Sequence, residues 1–323
     1  MLMLTDTPVE FDRRVQAARA ALGTPPLLVI PRRTSRFWRY ASALLALACL
    51  PALLLCFGRP VARLGARMQG GYGRLRSGLR AFVLLQAASL AFFWSHRAAL
   101  RSAGSLYAHD QMAGVVAWLA RRMYGVPYVY DAHEIVPFRA RQTGLARMLL
   151  EFGWERAIVG ASSRCVVVNV PMRRFYRHLY GPADYEVRAN DFFAERALTL
   201  DPAGRRLLVY IGAVGQHRGL QRMTDLAQAH GAAQLCFRSN LHSGDPDPRG
   251  SEVHGIEGYE PLLLQRAAGA APLLWCGFDT DVLSYRYALP NKFFQAMVLG
   301  VPIVAAPGSY LARLVRRHGV GVV

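Results

Sequence analysis

Short apolar runs alternate along this chain with longer segments whose apolar side chains recur three and four positions apart, the periods of buried strands and of packed helices. In the first half the pattern predicts strands at 1–5, 26–30, 105–109, 127–131, 164–169 and 185–189. Helices are expected between them near 9–22, 36–57, 79–101, 111–124, 143–160 and 171–180. The segment 191–206 has no strong apolar period, carries Pro202 and Gly204, and reads as an interdomain linker. Beyond it, strands are expected at 207–212, 233–238, 272–277, 301–306 and 320–323, with helices at 218–230, 258–270, 291–299 and 309–318. The intervening stretch 239–255 reads as a polar connection rich in glycine and proline. Regular alternation of strand and helix implies parallel α/β architecture. Two such series imply two domains, 1–190 and 207–323, and 323 residues suffice for both cores.

The stretch 31–104 interrupts this order, because a single crossover needs far fewer residues. It holds two apolar runs, ASALLALACLPALLLCF at 41–57 and AFVLLQAASLAFFWS at 81–95. A membrane-crossing helix needs about 20 apolar residues. The first run is shorter and contains Pro51, and the second contains Gln86 and Ser89, so neither is a convincing span. Arginines flank both runs: Arg36, Arg39, Arg59 and Arg63 around the first, Arg76, Arg80, Arg97 and Arg101 around the second. Positive flanks at both ends suit a segment whose ends both stay on the cytoplasmic face. Interfacial or re-entrant helices, helices buried in the domain, and true spans all remain open.

Charge sharpens the picture. The formal net charge is +18, and between Arg13 and His109 there are fifteen arginines and no acidic residue. Such a surface attracts polyanions. The residues between the charges are long apolar runs, and no nucleic-acid-binding motif is present, so an anionic membrane surface is the expected partner and nucleic acid is not. The five cysteines, at 49, 56, 165, 236 and 276, show no Cys-x-x-Cys spacing and read as small core residues in a reducing compartment. The N-terminus opens as a strand with no secretory signal, so the expected location is cytoplasmic, peripheral at the inner face of the plasma membrane.

Candidate chemistry begins with Lys292, the only lysine in a chain that otherwise uses arginine. In YALPNKFFQAMVLGVPIVAA (287–306), Pro290 fixes a helix start and Gly300 can end the helix in the left-handed conformation. Asn291 and Lys292 then fall on a helical first turn, an anion site by dipole, free N–H groups and ammonium together. A solvated lysine on an ordinary helix fits the same residues. In YIGAVGQHRGL (210–220), Gly212 and Gly215 permit a tight turn near a ligand, and Arg218 can grip a phosphate or simply be solvated. VYDAHE (129–134) puts Asp131, His133 and Glu134 beyond a strand, where parallel sheets hold their ligands. His109 and Asp110 end the preceding strand. Two His-acid pairs at neighbouring strand ends raise the question of a metal, but their linear spacing fits no familiar metal motif. In EFDRRV (10–15), Asp12 and Arg13 are either cleft residues or a charged first helical turn.

Five segments in order, EFDRRV, YAHD (107–110), VYDAHE, YIGAVGQHRGL and the tract from Tyr287 to Ala306, resemble the GT-B glycosyltransferases of the GT4-like group. The resemblance implies two Rossmann-like domains facing a cleft, and transfer of a sugar from a nucleotide sugar, UDP- or GDP-linked, with retention of configuration. It implies Arg218, Lys292 and His133 as catalytic residues. Gly212, Gly215, Asn291 and Gln295 join them on the donor, with Asp12, Arg13, His109, Asp110, Asp131 and Glu134 on the acceptor side. It implies no metal and no other cofactor, with a lipid-linked or glycan acceptor. Three departures stand out. Gln295 replaces the glutamate usual there, Tyr287 stands where its paired acid would be, and Ala213 replaces a basic residue. The group also has more C-terminal helices, so the second domain is expected to be incomplete. A scaffold without turnover and a membrane-surface binding protein are the alternatives.

Overall fold

The computed structural model describes residues 1–5, 13–31, 35–69, 79–138, 144–189, 201, 203–215, 217–239, 247–256 and 259–323. The chain divides into two compact units, Met1–Asp191 and Phe192–Val323. Most of the expected linker, and 240–246 of the expected loop, lie outside the described residues.

The first unit runs β1 (Leu2–Thr5), α1 (Arg13–Ala21), β2 (Leu27–Val29), α2 (Arg36–Gln69), α3 (Leu79–Ser95), α4 (Arg97–Ser102) and β3 (Leu106–His109). It continues with α5 (Asp110–Tyr124), β4 (Tyr128–Ala132), α6 (Leu145–Ala161), β5 (Arg164–Val167), α7 (Val170–Tyr180) and β6 (Tyr185–Val187). The strands form one parallel sheet in the order β2-β1-β3-β4-β5-β6. Every residue of β1 and β3 is buried, as expected where helices cover both faces. The order of strand addition reverses between β1 and β3, the topological switch at which such sheets open a ligand crevice.

The second unit runs β7 (Arg205–Gly212), α8 (Leu220–Ala229), β8 (Ala233–Arg238), β9 (Ser251–Gly255), α9 (Tyr259–Ala267) and β10 (Ala270–Cys276). It ends with α10 (Leu283–Tyr287), α11 (Asn291–Leu299), β11 (Ile303–Ala305), α12 (Tyr310–His318) and β12 (Gly321–Val322). Its parallel order is β12-β11-β10-β7-β8-β9, with the switch between β7 and β10. The period-two alternation of β7 divides the core. Leu207, Val209 and Ile211 pack with Leu235, Phe237, Leu274 and Ile303 on one face, while Leu208 and Tyr210 pack with Met223, Cys236 and Trp275 on the other.

Four expectations need correction. The stretch 239–255 is not all loop, because Ser251–Gly255 forms β9, a half-exposed strand at the sheet edge whose polar sequence hides it from an apolar-run criterion. The helix expected at 79–101 is broken at His96, whose ring stacks on Phe92 at 4.1 Å between centroids. The helix expected at 36–57 continues to Gln69 through Pro51. Pro51 and Leu47, whose carbonyl loses its partner there, both lie on the exposed side, so the freed group is not trapped in a core. Finally, Cys49 and Cys56 are exposed on α2, while Cys165, Cys236 and Cys276 are core residues.

The two apolar runs separate in kind. The second, in α3, is a core helix: Phe82, Ala87, Ala88, Phe92 and Phe93 are buried, and the Ser89 hydroxyl donates to the Met112 carbonyl at 3.2 Å. The first, in α2, packs one face inward through Ala46, Leu50, Leu53 and Phe57, whose ring centroid lies 5.2 Å from that of Phe152 on α6. Its outer face is apolar and bare, with Phe37, Tyr40, Leu44, Leu47 and Leu55 between 63% and 88% exposed. The segment Arg36–Arg59 is 24 residues long and contains an 18-residue window of mean hydropathy 2.3, long and apolar enough by length and composition to cross a membrane.

Candidate active site

The switch point of the second unit gathers two cations on aromatic faces. β7 ends at Gly212, with φ 137°, and the turn beyond it closes at Gly219, with φ 65°, where a Cβ would overlap the Gly277 carbonyl beyond β10. Only glycine lets the start of α8 approach the end of β10 so closely. Within that turn the Arg218 guanidinium lies 5.4 Å from the Phe278 ring centroid and 5.3 Å from that of Tyr285 on α10. Phe278 and Tyr285 stack with centroids 5.3 Å apart. The backbone at Arg218 is pinned by the Trp275 indole, which donates to its carbonyl at 3.2 Å.

Lys292, in the first turn of α11, is only 7% exposed. Its Nζ lies 4.5 Å from the Tyr210 ring centroid and 5.0 Å from that of Phe278, and 3.1 Å from where a Cβ on Gly212 would stand. Burial draws its pKa down to about 8, with the Arg218 charge acting in the same direction. Among the described residues no carboxylate pairs with either Lys292 or Arg218. Two neighbouring cations held by ring quadrupoles instead of acids leave their charge available to an anion.

Other expected donor residues fall around this pair. Asn291 opens α11 and is exposed, and Gly215 lies in the turn. Gln295 is buried, with its amide nitrogen donating to the Tyr259 hydroxyl at 3.1 Å. His217 turns to Asp279, Nδ1 to Oδ2 at 3.3 Å, and Arg222 donates to the other carboxylate oxygen at 2.7 Å. His217, Arg222 and Asp279 line an open cavity of about 600 Å³, which neither Arg218 nor Lys292 reaches. Sequence reasoning missed Tyr210, Phe278, Tyr285 and Asp279. Their signal was position alone: an aromatic inside a quoted motif and residues just past a strand end.

The first unit has its own cluster. β3 and β4 are neighbours and His109 pairs in register with Asp131, so their side chains share one sheet face, together with Tyr107 two residues earlier. His109 Nδ1 lies 3.3 Å from Asp131 Oδ2 and 3.2 Å from His133 Nε2. His133 Nδ1 faces Asp110 Oδ2 at 3.4 Å, and Asp110 holds φ 61° at the start of α5. The Tyr107 hydroxyl donates to Asp131 Oδ2 at 3.1 Å and receives Arg188 at 3.4 Å. Glu134 follows, its carbonyl accepting from Tyr176 at 2.9 Å. Arg13 is the first residue of α1, and Asp12 lies outside the described residues.

No protein-family model matches the chain, and no curated protein matches it. Solved structures do. Sucrose-phosphate synthase from Thermosynechococcus elongatus aligns with a TM-score of 0.58 at 16% identity, covering 75% of this chain and 65% of that one, so this chain spans just under two thirds of its length. HepE from Anabaena, solved with UDP-glucose, aligns at TM-score 0.58 and 14% identity over 100% of this chain and 85% of its own. The lipopolysaccharide outer core galactosyltransferase WaaB, in its apo form, aligns at 0.52 and 10%, covering 94% and 79%. Two six-stranded parallel sheets, each flanked by helices, together with these neighbours define the fold as GT-B, α/β with two Rossmann-like units.

Proposed function

We propose that this chain is a glycosyltransferase that moves a sugar from a nucleotide sugar, with retention of configuration, to a lipid-linked or glycan acceptor at an anionic membrane surface. The observation that carries the reading is the pair Arg218 and Lys292, unpaired with acid among the described residues and seated at the switch point of a GT-B unit. That is the chemistry a departing nucleoside diphosphate requires: fixed positive charge in a partly dehydrated place, needing no protein nucleophile and no metal on the diphosphate. HepE binds UDP-glucose and UDP, which makes UDP the first nucleotide to try. The histidines and carboxylates ending β3 and β4 offer hydrogen bonds to sugar hydroxyls on the first unit.

The outer face of α2 supports membrane association. Its apolar stripe is bordered by exposed Arg36, Arg39 and Arg59, while its inner face lies along α3 and α6. A helix packed along its own unit in this way favours lying on the bilayer over crossing it. We therefore read the protein as peripheral, and its arginine-flanked runs fit the cytoplasmic face.

Thermal unfolding with UDP, GDP, ADP and CMP tests the donor site. A ligand at about 100 times its Kd adds roughly 2.7 kcal/mol of stability. One nucleotide should raise the Tm of the wild type, and Arg218→Ala and Lys292→Ala should each abolish that rise. If no nucleotide shifts a well-folded wild type, the donor reading fails. Gln295 favours one second reading, nucleotide binding without turnover, because a glutamine already engaged with Tyr259 supplies no negative charge to the donor. Hydrolysis or transfer of a radiolabelled nucleotide sugar separates the two.

A further inference from the structure

We infer that His109, Asp131 and His133 form a three-ligand site for a divalent transition-metal ion of the zinc type. The inference goes beyond the glycosyl-transfer reading and does not rest on it. Linear spacing argued against a metal because the ligands sit on separate segments, but the β3–β4 register brings them together.

The distances carry it. His109 Nδ1, Asp131 Oδ2 and His133 Nε2 form a triangle with edges of 3.2, 3.3 and 3.8 Å. With metal–ligand bonds of about 2.0–2.1 Å, the edge of a regular tetrahedron is about 3.3 Å and that of an octahedron about 2.9 Å, so the triangle fits a tetrahedral ion better. A proton on His109 Nδ1 shared between Asp131 and His133 accounts for the two shorter edges, and an ion at the centre would draw on the same three atoms.

The surroundings suit ligation. Coordination through His133 Nε2 requires the proton on Nδ1, and Asp110 Oδ2 stands 3.4 Å from that nitrogen, the carboxylate–histidine–metal arrangement. The Tyr107 hydroxyl, hydrogen-bonded to Asp131 Oδ2, orients that carboxylate. His109 and Asp131 are almost wholly buried, while the His133 side chain is 15% exposed. Three protein ligands leave a fourth position for water or a hydroxyl oxygen. Two imidazoles with one carboxylate suit zinc, and cobalt substitutes for it, while magnesium and calcium prefer all-oxygen sites.

The test is titration of the full chain, stripped with EDTA and free of nucleotide, with Co²⁺ while recording visible absorption. One equivalent should produce the intense d–d bands of tetrahedral cobalt, and Zn²⁺ should bleach them. His133→Ala, at the most exposed ligand, should abolish the bands with the far-UV circular dichroism unchanged. Asp110→Asn should weaken binding about 10-fold through the orientation of His133. His254→Ala, beside Glu252 on β9, should change nothing. Absent or weak octahedral bands in the wild type, or bands that survive His133→Ala, overturn the proposal. Because no nucleotide enters the assay, its result is separate from that of the donor-site test.

Discussion

At the scale of single residues, the pKa of Lys292 near 8 makes the candidate donor site pH-sensitive in a calculable way. Both folded and unfolded chains carry the charged lysine below pH 8. Between about 8 and 10.5 the folded chain loses its proton first, so stability from this group rises with pH while the charge offered to an anion is lost. Binding of UDP, measured by titration calorimetry, should therefore weaken about fivefold from pH 8 to 9 in the wild type. In Lys292→Met, which keeps a long apolar stem in the pocket, affinity should be low and flat across that range. A wild type whose affinity ignores pH would remove Lys292 from the anion site.

Glu155 behaves with the opposite sign. It is wholly buried beneath Tyr130, Tyr176 and Gln111, whose two hydroxyl oxygens and amide nitrogen donate to its carboxyl oxygens at 2.7, 2.9 and 3.1 Å. Burial nevertheless pushes its pKa up to about 7, against the lowering effect of the Tyr130 and Tyr176 hydrogen bonds. Between pH 4.5 and 7 the folded chain holds this proton and the unfolded chain does not, so the group's contribution falls as pH rises through that window. The change amounts to about 3 kcal/mol. Glu155→Gln should lose that pH dependence in urea denaturation, and its stability relative to wild type should be better at pH 8 than at pH 5. A difference between the two proteins that stays constant with pH would place the ionisation elsewhere.

Gly219 shows why the cation pair has its shape. At φ 65°, a Cβ costs about 1–2 kcal/mol in backbone conformation alone, and here it also meets the Gly277 carbonyl. Gly231 has a similar φ, 61°, with open space around it. Gly219→Ala should therefore lower the denaturation midpoint more than Gly231→Ala and should weaken UDP binding, which Gly231→Ala leaves intact. Equal effects from the two would mean that the start of α8 and the end of β10 do not need this approach.

At the scale of elements, most of the fold was legible because strand and helix periods differ and the buried parallel strands are nearly pure apolar runs. What escaped did so for physical reasons. Among the described residues β9 pairs only with β8, and none of its residues is fully buried, so its sequence lacks a buried run. α10 is five residues long, too short for any period, yet it brings Tyr285 under Arg218. The motif residues Gly212, Arg218 and Lys292 were visible as chemistry. Their aromatic seats were not, because Tyr210, Phe278 and Tyr285 read as ordinary core residues until the fold places them. α2 was visible as an anomaly, and its two faces explain it: one is packed on α3 and α6, and the other is an apolar stripe with arginines near its ends. Leu47 and Leu55 are 63% and 88% exposed, so Leu47→Asp with Leu55→Asp should leave the fold intact and abolish co-sedimentation with phosphatidylglycerol-containing vesicles. Replacing Arg36, Arg39 and Arg59 with alanine should cost about 1 kcal/mol each on the same vesicles and nothing on purely zwitterionic ones. If instead the aspartates only dissociate a soluble dimer, this face meets a second copy of the chain and the membrane reading of α2 falls.

At the scale of the whole molecule, each unit has its own parallel sheet, and the strand ends of the two sheets carry opposite chemistry. The first unit presents imidazoles and carboxylates at the ends of β3 and β4, suited to hydroxyls or a cation; the second presents Arg218 and Lys292, suited to an anion. The formal charge of +18 attracts any polyanion to the surface, so affinity for UDP alone does not identify its site. Location does. Hydrogen exchange read by mass spectrometry should show UDP slowing the amides of 210–222 and 276–297, the turns and the helix start that hold the cation pair, and doing so with little loss in moderate salt, because a partly buried pair is poorly screened. A surface encounter would give weak protection spread over the arginine-rich stretch 31–104 and would vanish as salt is added. Protection confined to the ends of β3 and β4 would assign the nucleotide to the first unit and reverse the division of labour argued from the two clusters.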